Sequence, residues 1–414
     1  MVTRLDLRVV DRLPRGARPV VQVKYVDAGD LYLTWRWEHA PDDPRVMVLD
    51  RARVGPVLDD LTVALPSPLP SETVPEALDR ALRHGAFADR DRENALSAAL
   101  AAELIPHPLA AELTLLLDRG TRPHLRIQPS PSTAHVPWEA LLVDHGTRMV
   151  DEVDVSALPP ATVRYAPGRR VSAWRPGGPV ACVLDPVVPG FPDDSALGSV
   201  LGPAPGAITD LVARLGDRLV PAPGVRRADI TRDELVAVLG EAARLLYVGH
   251  VTTPEHSLDT RLHLSCGATS TGRAGLVRAH RPVTAADIVF GHRAGEPWPM
   301  PNRVALIACE SGGETRFAEP LGLVAAAIHN GAEYVTATRW TLPTDAGLRR
   351  FAVGATETTT ALPEAVVAVD HAHDQPDPIA ELGAWQRSKA AAWQQHARIE
   401  DAPVFWAAFT TTRG

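Results

Sequence analysis

The chain has 414 residues, 45% of them hydrophobic and 5% aromatic, with a formal net charge of −8. That length exceeds one ordinary compact domain and suggests two or three. The acidic balance argues against direct nucleic-acid binding as the main role. Three cysteines, Cys182, Cys266 and Cys309, are too few for a disulfide framework, and a reduced cytoplasmic setting fits them better. Charges break every apolar run near the N-terminus, so no signal peptide is read there. No uncharged apolar stretch approaches the ~20 residues a membrane span requires.

In chain order, 20–26, 31–37 and 45–50 read as strands, rich in β-branched and aromatic residues. They suggest a small β-rich unit. LPSPLPSE (65–72) reads as a linker. Leu and Ala then recur at helical spacing over 74–90, 93–105 and 110–120. HLRIQ (124–128) reads as a strand, followed by a polar loop and PWEALLVD (137–144). Further on, strands at 180–186, 244–250, 303–309 and 332–340 alternate with helices at 207–219, 230–243 and 320–331. A capping pattern at Thr231 and Glu234 opens the second of these helices. A helix is expected from about Thr344, a long one over 378–399 and a closing strand over 405–412. DHAHDQPD, with His371 and His373, reads as a solvated loop. The alternation predicts an α/β sandwich with a mainly parallel sheet.

Two of the apolar strands end on reactive side chains. RLLYVGH ends on His250 and RVALIAC on Cys309. In open α/β sheets ligands bind beyond the carboxyl ends of the strands, so neighbouring strands would bring both groups to one crevice. A thiol is mostly protonated at neutral pH, and an adjacent imidazole can take its proton and return one to a leaving amine. Taken singly, a cysteine after a strand is more often a core residue. Here ESGGET follows Cys309, and its paired glycines permit a tight loop with exposed N–H groups. Gly249 allows close backbone approach before His250.

LLYVGH (245–250), ALIACESGGE (305–314), the run EPLGLVAAAIHNGAEYVTATRWTLPTD (319–345) and FWAAF (405–409), preceded by PWEALL (137–142), together resemble the CHAT family. That family groups caspase- and separase-like cysteine peptidases of clan CD. The resemblance covers the chain from about residue 70 onward. It implies a caspase-like three-layer sandwich, preceded by the β-rich unit (1–64) and a helical part (65–175), with the catalytic region at 176–414. It implies His250 as base and Cys309 as nucleophile, the order and approximate spacing found in caspases. Backbone N–H groups of Cys309 and Val251 would form the oxyanion hole. At Val251 the chain departs from the Gly or Ala usual in the family, and a β-branched residue resists unusual backbone angles. Asp345 falls where separases line a pocket for an arginine or lysine side chain, with Glu310 as a second acidic candidate. Asp345 fits a helix N-terminus equally well.

The expected function is therefore a cysteine endopeptidase acting on a protein or peptide, with an activating protein partner and a role in bacterial defence or cell death. The arginine bias, with lysine only at Lys24 and Lys389, suits a GC-rich bacterial coding sequence. The alternative is a silent scaffold that keeps the fold. No cofactor is expected, and no metal, because His256, His263, Cys266, His280 and His292 lack tight ligand spacing. Cys266 is expected to face the core or the cleft wall.

Overall fold

The computed structural model describes residues 18–144, 146–221, 224–293, 295–309, 312–313 and 321–414. Sixteen strands are present among them. In chain order they are β1 (Val20–Ala28), β2 (Asp30–Trp37), β3 (Arg45–Leu49), β4 (His124–Gln128), β5 (Leu142–Asp144), β6 (Thr147–Arg148), β7 (Asp154–Ala157) and β8 (Val180–Leu184). The second half adds β9 (Leu219–Val220), β10 (Arg244–Val248), β11 (Val251–Thr252), β12 (Arg261–Leu262), β13 (Val283–Thr284), β14 (Arg303–Ile307), β15 (Tyr334–Thr338) and β16 (Phe409–Arg413).

Eleven of them form one mostly parallel sheet in the order β3-β2-β1-β4-β7-β16-β15-β14-β10-β8-β9. Helices cover both faces, which gives the three layers expected. The central strands β10 and β14 are buried along their whole length, as parallel strands covered on both sides must be. β1 and β2 instead alternate buried and exposed residues, which leaves one side of the antiparallel end of the sheet toward solvent. The β-rich N-terminal strands extend the same sheet, because β1 runs parallel to β4 from Val20 opposite His124 to Lys24 opposite Gln128.

One core cluster joins Val21, Trp35 and Leu104 to Trp340, Phe405 and Phe409 on one face. A second lies on the other, around Tyr247, Leu264, Cys266, Leu306 and the helix Leu323–His329. Cys266 is fully buried, and its sulfur accepts the Arg232 N–H at 3.3 Å.

Three stretches depart from expectation. The helix Arg51–Ala64 forms despite Gly55 and Pro56 inside it, held by buried Val54, Val57, Leu58 and Leu61. The DHAHDQPD stretch is no solvated loop: it ends the helix Leu362–Asp374, with Asp370 and His373 buried. Asp370 accepts hydrogen bonds or ion pairs from Arg244 at the start of β10 and from Arg214, and His373 meets Thr336 Oγ1 at 2.6 Å. Charges that read as surface in the sequence pair inside the fold. Likewise, 405–408 close the helical turn Pro403–Trp406 before β16 begins.

Candidate active site

β10 and β14 are parallel neighbours with Val248 opposite Ile307. His250 and Cys309 each lie two residues further on, so the register sets them at one level beyond the carboxyl edge of the sheet. The Gly249 N–H bonds to Ile307 O at 3.2 Å and carries the pairing past the strand end. Both side chains are half-buried.

The turn at His250 is built on Tyr247. Its ring is fully buried, and its hydroxyl lies 2.8 Å from both the His250 and the His263 carbonyl oxygens. A Cβ at residue 249 would lie 2.7 Å from that hydroxyl. Glycine is therefore required before His250 because the tyrosine clamp occupies the space.

The imidazole has a defined tautomer. His250 Nε2 lies 2.8 Å from Gly198 O. A carbonyl oxygen only accepts, so Nε2 carries the proton and the basic nitrogen of the neutral ring is Nδ1. Burial holds the pKa of His250 below its usual value, with the Gly198 contact and Asp185 acting weakly against that shift. The ring is neutral at pH 7 and ready to accept a proton.

Gly198 is itself held in place. Asp185 follows β8, which neighbours β10, and is 1% exposed. Its Oδ1 accepts the Val200 N–H at 3.0 Å and its Oδ2 the Ser199 hydroxyl at 2.5 Å. Arg226 Nη1 approaches Oδ1 at 3.4 Å. Asp185 adopts a left-handed φ of 51°, and its own N–H bonds to Val248 O at 2.7 Å. The chain thus ties the end of β10 to Asp185, Asp185 to the 198–201 loop, and that loop to His250. Sequence reasoning missed Asp185, Gly198 and Tyr247. The one visible signal was a carboxylate closing an apolar strand in VACVLDP.

Cys309 Sγ lies 3.8 Å from Leu342 O. The segment bearing Leu342 is anchored from below by a buried ion pair. Arg339 places Nη1 2.7 Å from Glu139 Oε2 and Nη2 2.9 Å from Oε1, and both residues are almost wholly buried. Arg339 Nη1 also reaches Ala407 O at 2.8 Å, and Trp340 Nε1 reaches Val404 O at 2.9 Å. PWEALL, TATRW and FWAAF, far apart in sequence, therefore meet under the cysteine. Gly312 bonds through its N–H to Thr338 O at 2.9 Å, which returns the loop after Cys309 to β15.

Val251 opens β11, at one end of the sheet β11-β12-β13. The His263 N–H bonds to His250 O at 3.1 Å. Val251, opposite Leu262, therefore falls at the alternate position, where backbone N–H and C=O turn away from β12. Its side chain is 5% exposed, within the second core cluster, and its backbone is regular strand. No unusual backbone angle is asked of this β-branched residue.

Asp345 is the first residue of the helix Asp345–Phe351, behind the N-cap Thr344. Its Oδ1 accepts the N–H groups of Ala361 and Leu362 at 2.9 and 3.1 Å, at the start of the helix Leu362–Asp374. Glu310 lies outside the described residues. Among the described residues no group of His, Cys, Asp and Glu is arranged to hold a metal ion. His263 and His280 bond to each other instead, Nδ1 to Nε2 at 3.1 Å.

The arrangement defines an α/β protein in which a histidine and a cysteine each lie two residues beyond the carboxyl ends of neighbouring parallel strands. The chain belongs to the CHAT domain family, whose model matches residues 94–413. No curated protein sequence matches it. Among solved structures it is similar to the Saccharomyces cerevisiae separase–securin complex at 9% identity, with TM-scores of 0.47 for the 2.6 Å crystal structure and 0.45 for the 3.0 Å one. Each match covers 95% of this chain and 30% of the other, so this chain spans about three tenths of that chain's length.

Proposed function

We propose that the protein is a cysteine endopeptidase that cleaves a protein partner with Cys309 as nucleophile and His250 as general base. The observation that carries this reading is the His250 tautomer: with Nε2–H bound to Gly198 O, Nδ1 is the nitrogen left to take a proton, and His250 and Cys309 stand at one level beyond β10 and β14. In the proposed cycle the Cys309 thiol proton passes to Nδ1 and the thiolate attacks the substrate carbonyl carbon. The oxyanion meets the backbone N–H groups of Val251 and Cys309, an interaction worth several kcal/mol in enzymes of this kind. Collapse breaks the C–N bond, and Nδ1–H protonates the departing amine. Water, deprotonated by Nδ1, then splits the thioester and restores the thiol.

Asp345 is our candidate for recognising an arginine or lysine before the scissile bond, through Oδ2, since Oδ1 is engaged by the helix start. Glu310 is the second candidate. We place the reaction in a cytoplasmic bacterial defence or cell-death setting, with a protein partner that activates it, on the family resemblance and the sparse cysteines.

The test is labelling with a peptidyl probe that alkylates an activated thiol. Wild type is expected to be labelled at Cys309, whereas Cys309→Ala and His250→Ala are not. Equal labelling of wild type and His250→Ala would remove the histidine from the mechanism. No labelling of wild type, even with its protein partner added, would leave the scaffold reading in its place.

A further inference from the structure

Toward the antiparallel end of the sheet, across β4, β7, β16 and β15 from β14, lies a second recessed site that the chemistry of Cys309 does not use. It is a groove of about 310 Å³ lined by Gln22, Lys24, Trp35, Arg36, Arg164 and Tyr165, among others. Pro44, Leu158, Pro159 and Ala161 supply its apolar walls. Its rim is cationic. Lys24 and Arg36 are exposed on β1 and β2, and Arg164 closes the short helix Ala161–Arg164. Arg126 lies beneath, on β4 opposite Gln22, 2% exposed and with Nε unpartnered.

Charges here are poorly balanced. Among the described residues neither Lys24 nor Arg164 makes an ion pair, and Arg36 bonds only to the neutral Gln22 amide oxygen. Glu38 is the carboxylate nearby, shared between Gln22 Nε2 at 2.8 Å and Arg126 Nη1 at 3.4 Å. Burial, with a smaller contribution from the neighbouring Arg164, lowers the pKa of Arg126 to about 10. A chain of net charge −8 lines one concave place with three cations, Lys24, Arg36 and Arg164. Such a patch attracts carboxylates and speeds their encounter.

The groove also leads toward the catalytic loop. Gln128, Leu158 and Pro159 line both it and an adjoining cavity of about 60 Å³. That cavity extends to Ala337 and to Gly312, three residues past Cys309.

We propose that this groove docks an extended acidic segment of the protein that the cleft receives, with aspartate or glutamate side chains on Lys24, Arg36 and Arg164 and apolar neighbours against Leu158 and Pro159. A peptide fits better than a nucleic acid. The groove is short and walled by apolar side chains, and the molecule's overall negative charge repels a long polyanion. That the segment belongs to the substrate rests on the peptidase reading above; its docking does not.

The experiment is fluorescence anisotropy on the full chain, using labelled hexaglutamate against labelled hexaglutamine. Hexaglutamate is expected to bind at least about ten-fold more tightly, and to weaken as salt rises from about 50 to about 500 mM. Lys24→Glu with Arg164→Glu is expected to lose at least about ten-fold in affinity, with an unchanged thermal midpoint. Lys24→Gln with Arg36→Gln serves as a milder pair, and Arg349→Glu on another surface is expected to bind as wild type does. Equal affinity for the two peptides, full binding by both groove variants, or displacement of hexaglutamate by an equimolar oligothymidylate would each overturn the proposal. Cys309→Ala is expected to bind hexaglutamate normally. Failure of Cys309 labelling would therefore sink the peptidase reading alone, and failure of peptide discrimination would sink the groove alone.

Discussion

Asp185 is buried and its carboxylate holds Ser199 and Val200, and through them it fixes the carbonyl that sets the His250 tautomer. Asp185→Asn keeps one acceptor and removes the charge. It is expected to slow labelling of Cys309 by about 10- to 100-fold, the usual penalty for loosening a group that orients a reacting one. The pH dependence separates this from simple unfolding. Burial depresses the pKa of His250, so in wild type the base form persists below the ordinary histidine range. The acid limb of the labelling rate is expected to have its midpoint below about 6.5. Asp185 favours the imidazolium, so its replacement by Asn should move that midpoint lower still. A wild-type midpoint at or above that value, or an upward move in the variant, would contradict the assignment. The placement of His250 and Cys309 at strand ends could be read because each closes an apolar run, His250 just after Gly249 and Cys309 three residues before Gly312. Gly198 was not, because its part depends on a loop that folds back onto His250 from 52 residues earlier in the chain.

At the scale of elements, the Glu139–Arg339 pair locks three distant segments beneath Cys309. Glu139→Ala would leave a buried guanidinium without its carboxylate, which costs about 3–5 kcal/mol in such settings. Urea unfolding should show that loss, and Glu139→Met with Arg339→Met should recover most of it. If the double variant is no more stable than the single one, the pair is more than a charge match. β10 and β14 could be read from sequence because buried parallel strands are continuous apolar runs. The helix Arg51–Ala64 was hidden by Gly55 and Pro56, whose local preference is outweighed by its buried valines and leucines. The helix Leu362–Asp374 was hidden by composition. Its Asp370 and His373 look solvated until Arg244 and Thr336 are found against them.

Across the whole molecule, buried neutral histidines set the response to acid. Burial takes His124 and His373 down to about 3. The unfolded chain protonates these groups near pH 6.5 and the folded one does not, so their stabilising contribution is complete above that pH and drains away toward about 3. Chemical denaturation should give a lower unfolding free energy at about pH 5 than at about pH 7.5, and His373→Gln should flatten the difference. A profile unchanged between those conditions would rule the histidines out as its cause. The continuous sheet has a consequence of another kind. The family match begins at residue 94, yet β1 pairs with β4 inside one sheet, Tyr25 Oη holds Leu104 O at 2.8 Å, and Glu112 receives both Trp35 and Trp37. The point where the family match begins is thus not a point where the chain can be cut. Trimming to 94–413 would bare the β4 backbone as a sticky border. The shortened protein should self-associate more than the full chain does on size-exclusion chromatography.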